Sequence, residues 1–200
     1  MTIRSAADGP TEVATQLSFD GSPTAGRFSD DVTVVATLTD AADAPISGEP
    51  VEFSFTTATG ARAFSAVTQA DGTATITFPL TEAPGTADLR VHYAGEPGSY
   101  LATSAYLPFV IEKEITQLAV ATTGKGSKTL IVATLTDDET NPVADKPIHF
   151  SADGQAICTE PAPRTDAQGR ATCEPPARYR GGQHAARFEG DEFYLESPPV

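Results

Sequence analysis

The 200-residue chain has no tryptophan, one methionine, two cysteines, three histidines and four lysines, and its only asparagine is Asn141. No stretch approaches the ~20 apolar residues of a membrane helix, so membrane insertion is not expected. The opening residues, Met1 to Gly9, contain no apolar segment of the kind that drives secretion, and no signal peptide is expected there. Any export signal would lie outside the sequence given. Asn141 is followed by Pro142, which removes it as a glycosylation acceptor. Its place in a Pro-bounded turn also keeps it from a Lys to Asn isopeptide crosslink in a core. The nucleophile-elbow, paired-histidine zinc and phosphate-loop motifs are all missing. No enzyme and no cofactor are expected.

Positive charge is also scarce. The net charge is −14, and it divides into five Lys/Arg against fourteen Asp/Glu over residues 1–113, then eight against thirteen over 114–200. Nucleic acid is therefore excluded as a partner, because binding to phosphate backbones needs concentrated Lys and Arg. The three histidines are scattered. His92 and His149 fall at outward strand positions and His184 opens a strand, so all three read as solvated or locally satisfied residues and not as catalysts.

What the chain does have is a duplication. Val35-Ala36-Thr37-Leu38-Thr39-Asp40 recurs unchanged as Val132-Ala133-Thr134-Leu135-Thr136-Asp137. Upstream, Thr15-Gln16-Leu17 answers Thr116-Gln117-Leu118. Downstream, Pro45 to Ser54 answers Pro142 to Ser151, and Thr68 to Thr75 answers Thr165 to Thr172. Self-similarity at a fixed period outranks any single motif as a clue to architecture. A repeat of about one hundred residues is the size of a small domain. The boundaries expected are an N-terminal extension over 1–13, a first domain over 14–113 and a second over 114–200.

Apolar residues alternate in short bursts between turn residues, the pattern of half-buried strands, and helical periodicity is nowhere sustained. In the first unit the pattern predicts strands near 14–19, 31–39, 50–57, 61–67, 73–79, 86–94 and 104–112. Val32, Val34, Ala36 and Leu38 point inward, as do Val51, Phe53 and Phe55, and Ala74, Ile76 and Phe78. Thr, Ser and Glu between them face water. Seven short strands with turn signals between them fit an immunoglobulin-like β-sandwich in each unit better than a closed barrel, which periodicity alone does not exclude, and the expected chain is all-β with two tandem sandwiches.

The second unit repeats the order at 116–122, 128–137, 147–152, 155–159, 170–174 and 183–189. It reaches Tyr194-Leu195 and then Ser197-Pro198-Pro199-Val200, where the first unit has the apolar strand Ser104 to Glu112. The second sandwich is therefore expected to lack its final strand and to expose a sheet edge that invites pairing. Either strand addition by another copy or partner completes it, with Thr2 to Val13 as one donor, or the natural protein continues beyond Val200. Between the units, Glu112-Lys113-Glu114-Ile115 has no Gly, Ser or Pro and reads as a stiff junction.

Three elements, in the same order, carry a family resemblance: Pro50-Val51-Glu52-Phe53 with Pro147-Ile148-His149-Phe150, the turn and strand Asp71-Gly72-Thr73-Ala74-Thr75, and Tyr93-Ala94-Gly95-Glu96 running to Tyr100. Together they resemble the bacterial immunoglobulin-like (Big-type) domains found in tandem in surface and secreted proteins. The resemblance implies a β-sandwich with a role in spacing, adhesion or assembly, and brings no catalytic residues with it.

Four groups of residues stand out chemically. Cys158 and Cys173 flank the turn near Thr165 to Gln168, and a hairpin there would set them opposite each other for a disulfide, which would favour an oxidising compartment. The other reading makes Cys173, aligned with Ile76, a small buried hydrophobe. Asp137, Asp138 and Glu139 are calcium candidates, since grouped loop carboxylates suit that ion, against the reading of solvated turn residues with no metal. Arg178 and Arg180, with Arg187 just beyond, form a basic loop that either meets an acidic neighbour or is a solvated hairpin. Exposed aromatics for glycan binding are few.

The expected role is a non-enzymatic structural and interaction module, a spacer or adhesion repeat at a bacterial surface or outside the cell. Its partners would be proteins or further copies, met through sheet edges and loops. The alternatives are a decoration or fibre subunit of a phage virion or injection particle assembled by strand addition, and the glycan-binding accessory domain of a secreted enzyme.

Overall fold

The computed structural model describes residues 12–200. The chain divides into two compact units between Glu112 and Lys113.

The first unit contains β1 (Thr15–Ser18), β2 (Ala25–Arg27), β3 (Asp31–Asp40), β4 (Pro50–Thr57), β5 (Gly60–Val67), β6 (Thr73–Pro79), β7 (Gly85–Tyr93) and β8 (Thr103–Glu112). They form a three-stranded sheet, β1-β3-β6, and a five-stranded sheet, β2-β8-β7-β4-β5. All neighbours are antiparallel except β2, which runs parallel to β8. This is an immunoglobulin-like sandwich. Alternation builds it: along β3 every second residue from Val32 to Leu38 is buried beside Ala74, Ile76 and Phe78 of the neighbouring β6, and Val51, Phe53 and Phe55 of β4 face them from the other sheet. The inward positions read from the sequence form one core with Leu89, Val91, Tyr93, Phe109 and Ile111. Each fully buried Phe or Leu adds about 1.5–3 kcal/mol relative to exposure.

The open side of that core is closed between β5 and β6. Phe64 stacks on Phe78 with ring centroids 4.8 Å apart. Over them lies the Arg62 guanidinium, 5.0 Å from the Phe78 centroid, donating to Pro79 O and to Glu82 Oε2. Here the guanidinium itself covers the aromatic rings as a cation–π contact, while Glu82 pairs its charge at the rim.

The second unit contains β9 (Thr116–Thr123), β10 (Leu130–Asp137), β11 (His149–Ala152), β12 (Gln155–Ile157), β13 (Arg170–Cys173) and β14 (His184–Arg187). Its sheets are β9-β10-β13 and β12-β11-β14, the same order as β1-β3-β6 and β5-β4-β7. Among the described residues no strand follows β14. The chain nonetheless returns beside it: Ser197 N donates to Phe188 O, and Ala186 and Val200 exchange backbone hydrogen bonds. Phe188 opposite Ser197 reproduces Tyr93 opposite Thr103. Two residues on, Val91 faces Ala105, whereas Ala186 faces Val200. Pro198 and Pro199 thus insert one extra residue, a bulge that proline, without an N–H, tolerates at a sheet edge.

Candidate functional site

The residues that recur between units build the turns that close each sandwich. Asp40 and Asp137 end the repeated hexapeptide. Asp40 Oδ1 accepts the N–H groups of Ala42 and Ala44, at 2.8 and 2.9 Å. Asp137 accepts the backbone N–H and the side-chain amide of Asn141. Each carboxylate thereby satisfies donors of a tight loop that would otherwise go unpaired. Thr68 and Thr165, 4 and 5% exposed, accept through their hydroxyls from Glu49 N and Lys146 N. Their backbones bond the same loops.

The other end of each repeat is held where the chain enters. Val13 and Glu114 each pair in parallel with Tyr100 and Tyr194, and Thr15 and Thr116 donate their hydroxyls to Leu101 O and Leu195 O. Val13 therefore has a counterpart in the second unit, although the sequence reading placed it in an extension. It pairs within its own unit. The rest of the suggested donor, Thr2 to Thr11, lies outside the described residues, and Glu12 accepts from Gly98 N.

One position breaks the symmetry. In the first unit Tyr93 donates its hydroxyl to Glu49 Oε2 at 3.0 Å. Burial first, and then Glu49, pushes the Tyr93 phenol above its ordinary pKa. In the second unit Tyr93 is replaced by Phe188 and Glu49 by Lys146. Lys146 turns instead to Asp191, 2.5 Å away, and sits 4.4 Å above the Tyr194 ring. Burial alone would raise the Asp191 pKa. Lys146 and the N–H groups of Phe193 and Tyr194 outweigh it and hold the carboxyl below its usual range. Both halves of the pair changed together, so each unit keeps a satisfied polar contact at this rim.

Cys158 and Cys173 form a disulfide with Cα atoms 6.0 Å apart. The geometry differs from a hairpin. Cys158 follows β12 and Cys173 ends β13, and these strands belong to different sheets, with Cys173 opposite Ile131. The bridge ties the two layers together at the side where the first unit uses Phe64, Phe78 and Arg62. Cys173 is at once buried in the core and crosslinked.

The calcium candidates are separated. Asp137 is 5% exposed and occupied by Asn141. Asp138 and Glu139 are exposed beyond it, with carboxylates within 4.8 Å of that of Glu114. The three arginines do not form one cluster of free charge. Arg178 lies over the Tyr179 ring at 4.8 Å, Arg180 pairs with Glu174 at 3.5 Å, and Arg187 pairs with Glu189 at 2.6 Å. His92 contacts Ser104 Oγ, His149 lies 3.7 Å from Glu189, and His184 bridges Thr122 and Tyr179 O.

Sequence reading overlooked a shallow hollow on the outer face of the five-stranded sheet, lined by Glu52, Ser54, Ala63, Ser65, Arg90 and His92. Its signal was the run of small residues at outward positions of β4 and β5, where exposed strands normally carry larger side chains.

No protein-family model and no curated protein matches the chain. Solved structures do. Invasin, a bacterial integrin-binding protein, aligns over 93% of this chain and 38% of its own at 17% identity, with a TM-score of 0.52. The Yersinia pseudotuberculosis adhesin InvE aligns over 94% of this chain and 57% of its own at 19% identity, with a TM-score of 0.42. Escherichia coli alpha-2-macroglobulin aligns over 96% of this chain and 14% of its own at 11% identity, with the same score of 0.42. The chain thus spans less than two thirds of each of these three structures. The likeness to invasin is one of fold: tandem immunoglobulin-like sandwiches. No helix among the described residues is long and apolar enough to cross a membrane.

Proposed function

We propose that this chain is a non-enzymatic structural and interaction module, a spacer or adhesion repeat of a bacterial surface or secreted protein, of the bacterial immunoglobulin-like kind. The observation that carries this reading is what the duplication preserves. Asp40 and Asp137, which each accept from the N–H four residues on, Thr68 and Thr165, and Gly72 and Gly169 each keep identity, place and bond, and every one of these bonds closes a turn of the sandwich. The titratable residues on the outer faces change, as Glu52 to His149 and His92 to Arg187. Selection of this pattern fits a frame that is copied for its shape while its surfaces diverge.

In this role each unit supplies a fixed length, and partners meet the loops at the sandwich ends or an exposed strand edge. The disulfide supports a setting outside the reducing cytosol. The test is made on intact cells that produce the protein. Brief treatment with protease or a membrane-impermeant label should modify these units while cytoplasmic markers stay untouched. Protection until the cells are lysed would refute the surface assignment.

A further inference from the structure

The outer face of the five-stranded sheet is complementary to itself. Register across β5, β4, β7 and β8 places Ala63, Ser54, Arg90 and Tyr106 in one row, and Ser65, Glu52, His92 and Ser104 in the next. These side chains point outward, since the alternate residues Phe53, Leu89 and Val91 are buried. Tyr106 is a projecting knob, 68% exposed. The Arg90 guanidinium braces it, 5.7 Å from its ring centroid, and itself donates to Ser104 Oγ. Three strand spacings away, ~14 Å, the same row ends in the hollow over Ala63, Ser54 and Ser65. Knob and hole therefore lie at opposite ends of one row.

We propose that this face is a docking surface for a second copy of the chain. The two copies meet face to face about a two-fold axis running along the strands midway between β4 and β7. That operation lays β8 of each copy over β5 of the other, and β7 over β4. Tyr106 enters the hollow of the other copy, Glu52 faces His92 in both directions, Arg90 meets Ser54, and Asp88 meets Thr56. A two-fold contact must be complementary to itself, and here an acid meets an imidazole and no two like charges meet. The second unit supplies the contrast. Its equivalents of Glu52 and His92 are His149 and Arg187, so the same operation would set two basic side chains against each other. The docking surface belongs to the first unit.

A face four strands wide and about seven residues long covers ~500 Å² per copy, near the lower bound for a specific interface. Association is consequently weak, and it is independent of the spacer reading above. The experiment is sedimentation equilibrium of the 200-residue chain up to ~1 mM at ~0.15 M salt, where exposed charges are screened beyond about 8 Å. The expected result is a reversible monomer–dimer equilibrium. Tyr106→Ala and Ala63→Arg should each raise the concentration of half-association at least ~10-fold, as loss of an aromatic anchor seated in a pocket does. Glu52→Lys and His92→Glu should each weaken it, and the two together in one chain should restore it, because lysine then faces glutamate. Thermal melts confirm that each variant is folded. The charge exchange keeps the idea falsifiable if Ala63→Arg is not. A native chain that stays monomeric to ~1 mM, or dimers insensitive to Tyr106→Ala and to the single charge changes, would overturn the proposal.

Discussion

A side-chain carbon added at Gly72 would stand 2.5 Å from the carbonyl oxygen of Leu38, and one added at Gly169 would stand 2.3 Å from that of Leu135. Both glycines have positive φ, +77° and +72°, and each accepts a hydrogen bond from the N–H of the leucine it presses on. The turn before β6 and the turn before β13 can therefore dock on the repeated hexapeptide only without a Cβ.

Gly72→Ala is expected to destabilise the first unit by about 2–3 kcal/mol, combining left-handed strain with a displaced hydrogen bond. Gly48 is the control. Its φ is also positive, +82°, but nothing lies within 4 Å of an added Cβ, so Gly48→Ala should cost only about 1 kcal/mol. Urea unfolding of the two variants measures the difference, and equal losses would refute the close-approach argument.

Tyr93 makes the first unit sensitive to alkali. Its folded pKa is raised above the unfolded value, so its contribution is complete below about pH 10 and is lost as pH rises from there toward the folded pKa. Tyr93→Phe should remove this alkaline decline. At neutral pH it should cost about 1.5–3 kcal/mol, the range for a hydrogen bond to a charged group. Thermal melts of the first unit between pH 8 and 11 check both effects.

Asp191 gives the second unit an acid limit. Its pKa is depressed in the fold, so its stabilisation is present above the unfolded value, about 3.9, and disappears as pH falls through the lower folded value. Melts of the second unit below pH 4 should show this loss. Asp191→Asn should lower stability at pH 7 and flatten the acid limb, whereas an unchanged limb would assign the acid sensitivity elsewhere.

The disulfide should matter to one unit only. Cys158 and Cys173 are 15 residues apart, and a loop of that length is worth about 3 kcal/mol. Replacing both by serine should lower the melting temperature of the second unit by on the order of 10–20 °C and leave the first unit unchanged.

Much of this was legible in the chain because period-two alternation is unambiguous where one face is buried. Every residue assigned to the inward side of β3, β4 and β6 is in the core. β2 escaped notice because three residues, Ala25 to Arg27, are too few to show a period, and its pairing is parallel to the distant β8. The cysteines read as hairpin partners because linear spacing carries no information about which sheet a strand joins. Asp137 resembled a metal ligand in composition, but its geometry as a loop cap depends on the backbone of Asn141. The hollow over Ala63 was signalled only by small residues, whose meaning depends on the height of their neighbours across the strands.

The chain is two sandwiches of one design, each closed on itself, with a covalent tie between the layers of the second alone. Pulling single molecules from both ends tests this design, and two separate unfolding events are expected. On adding reductant, the event of the second unit should lengthen by ~5 nm, the reach of the 15 residues held behind the Cys158 to Cys173 bridge, while the other event keeps its length. A single cooperative event, or lengths indifferent to reductant, would contradict it.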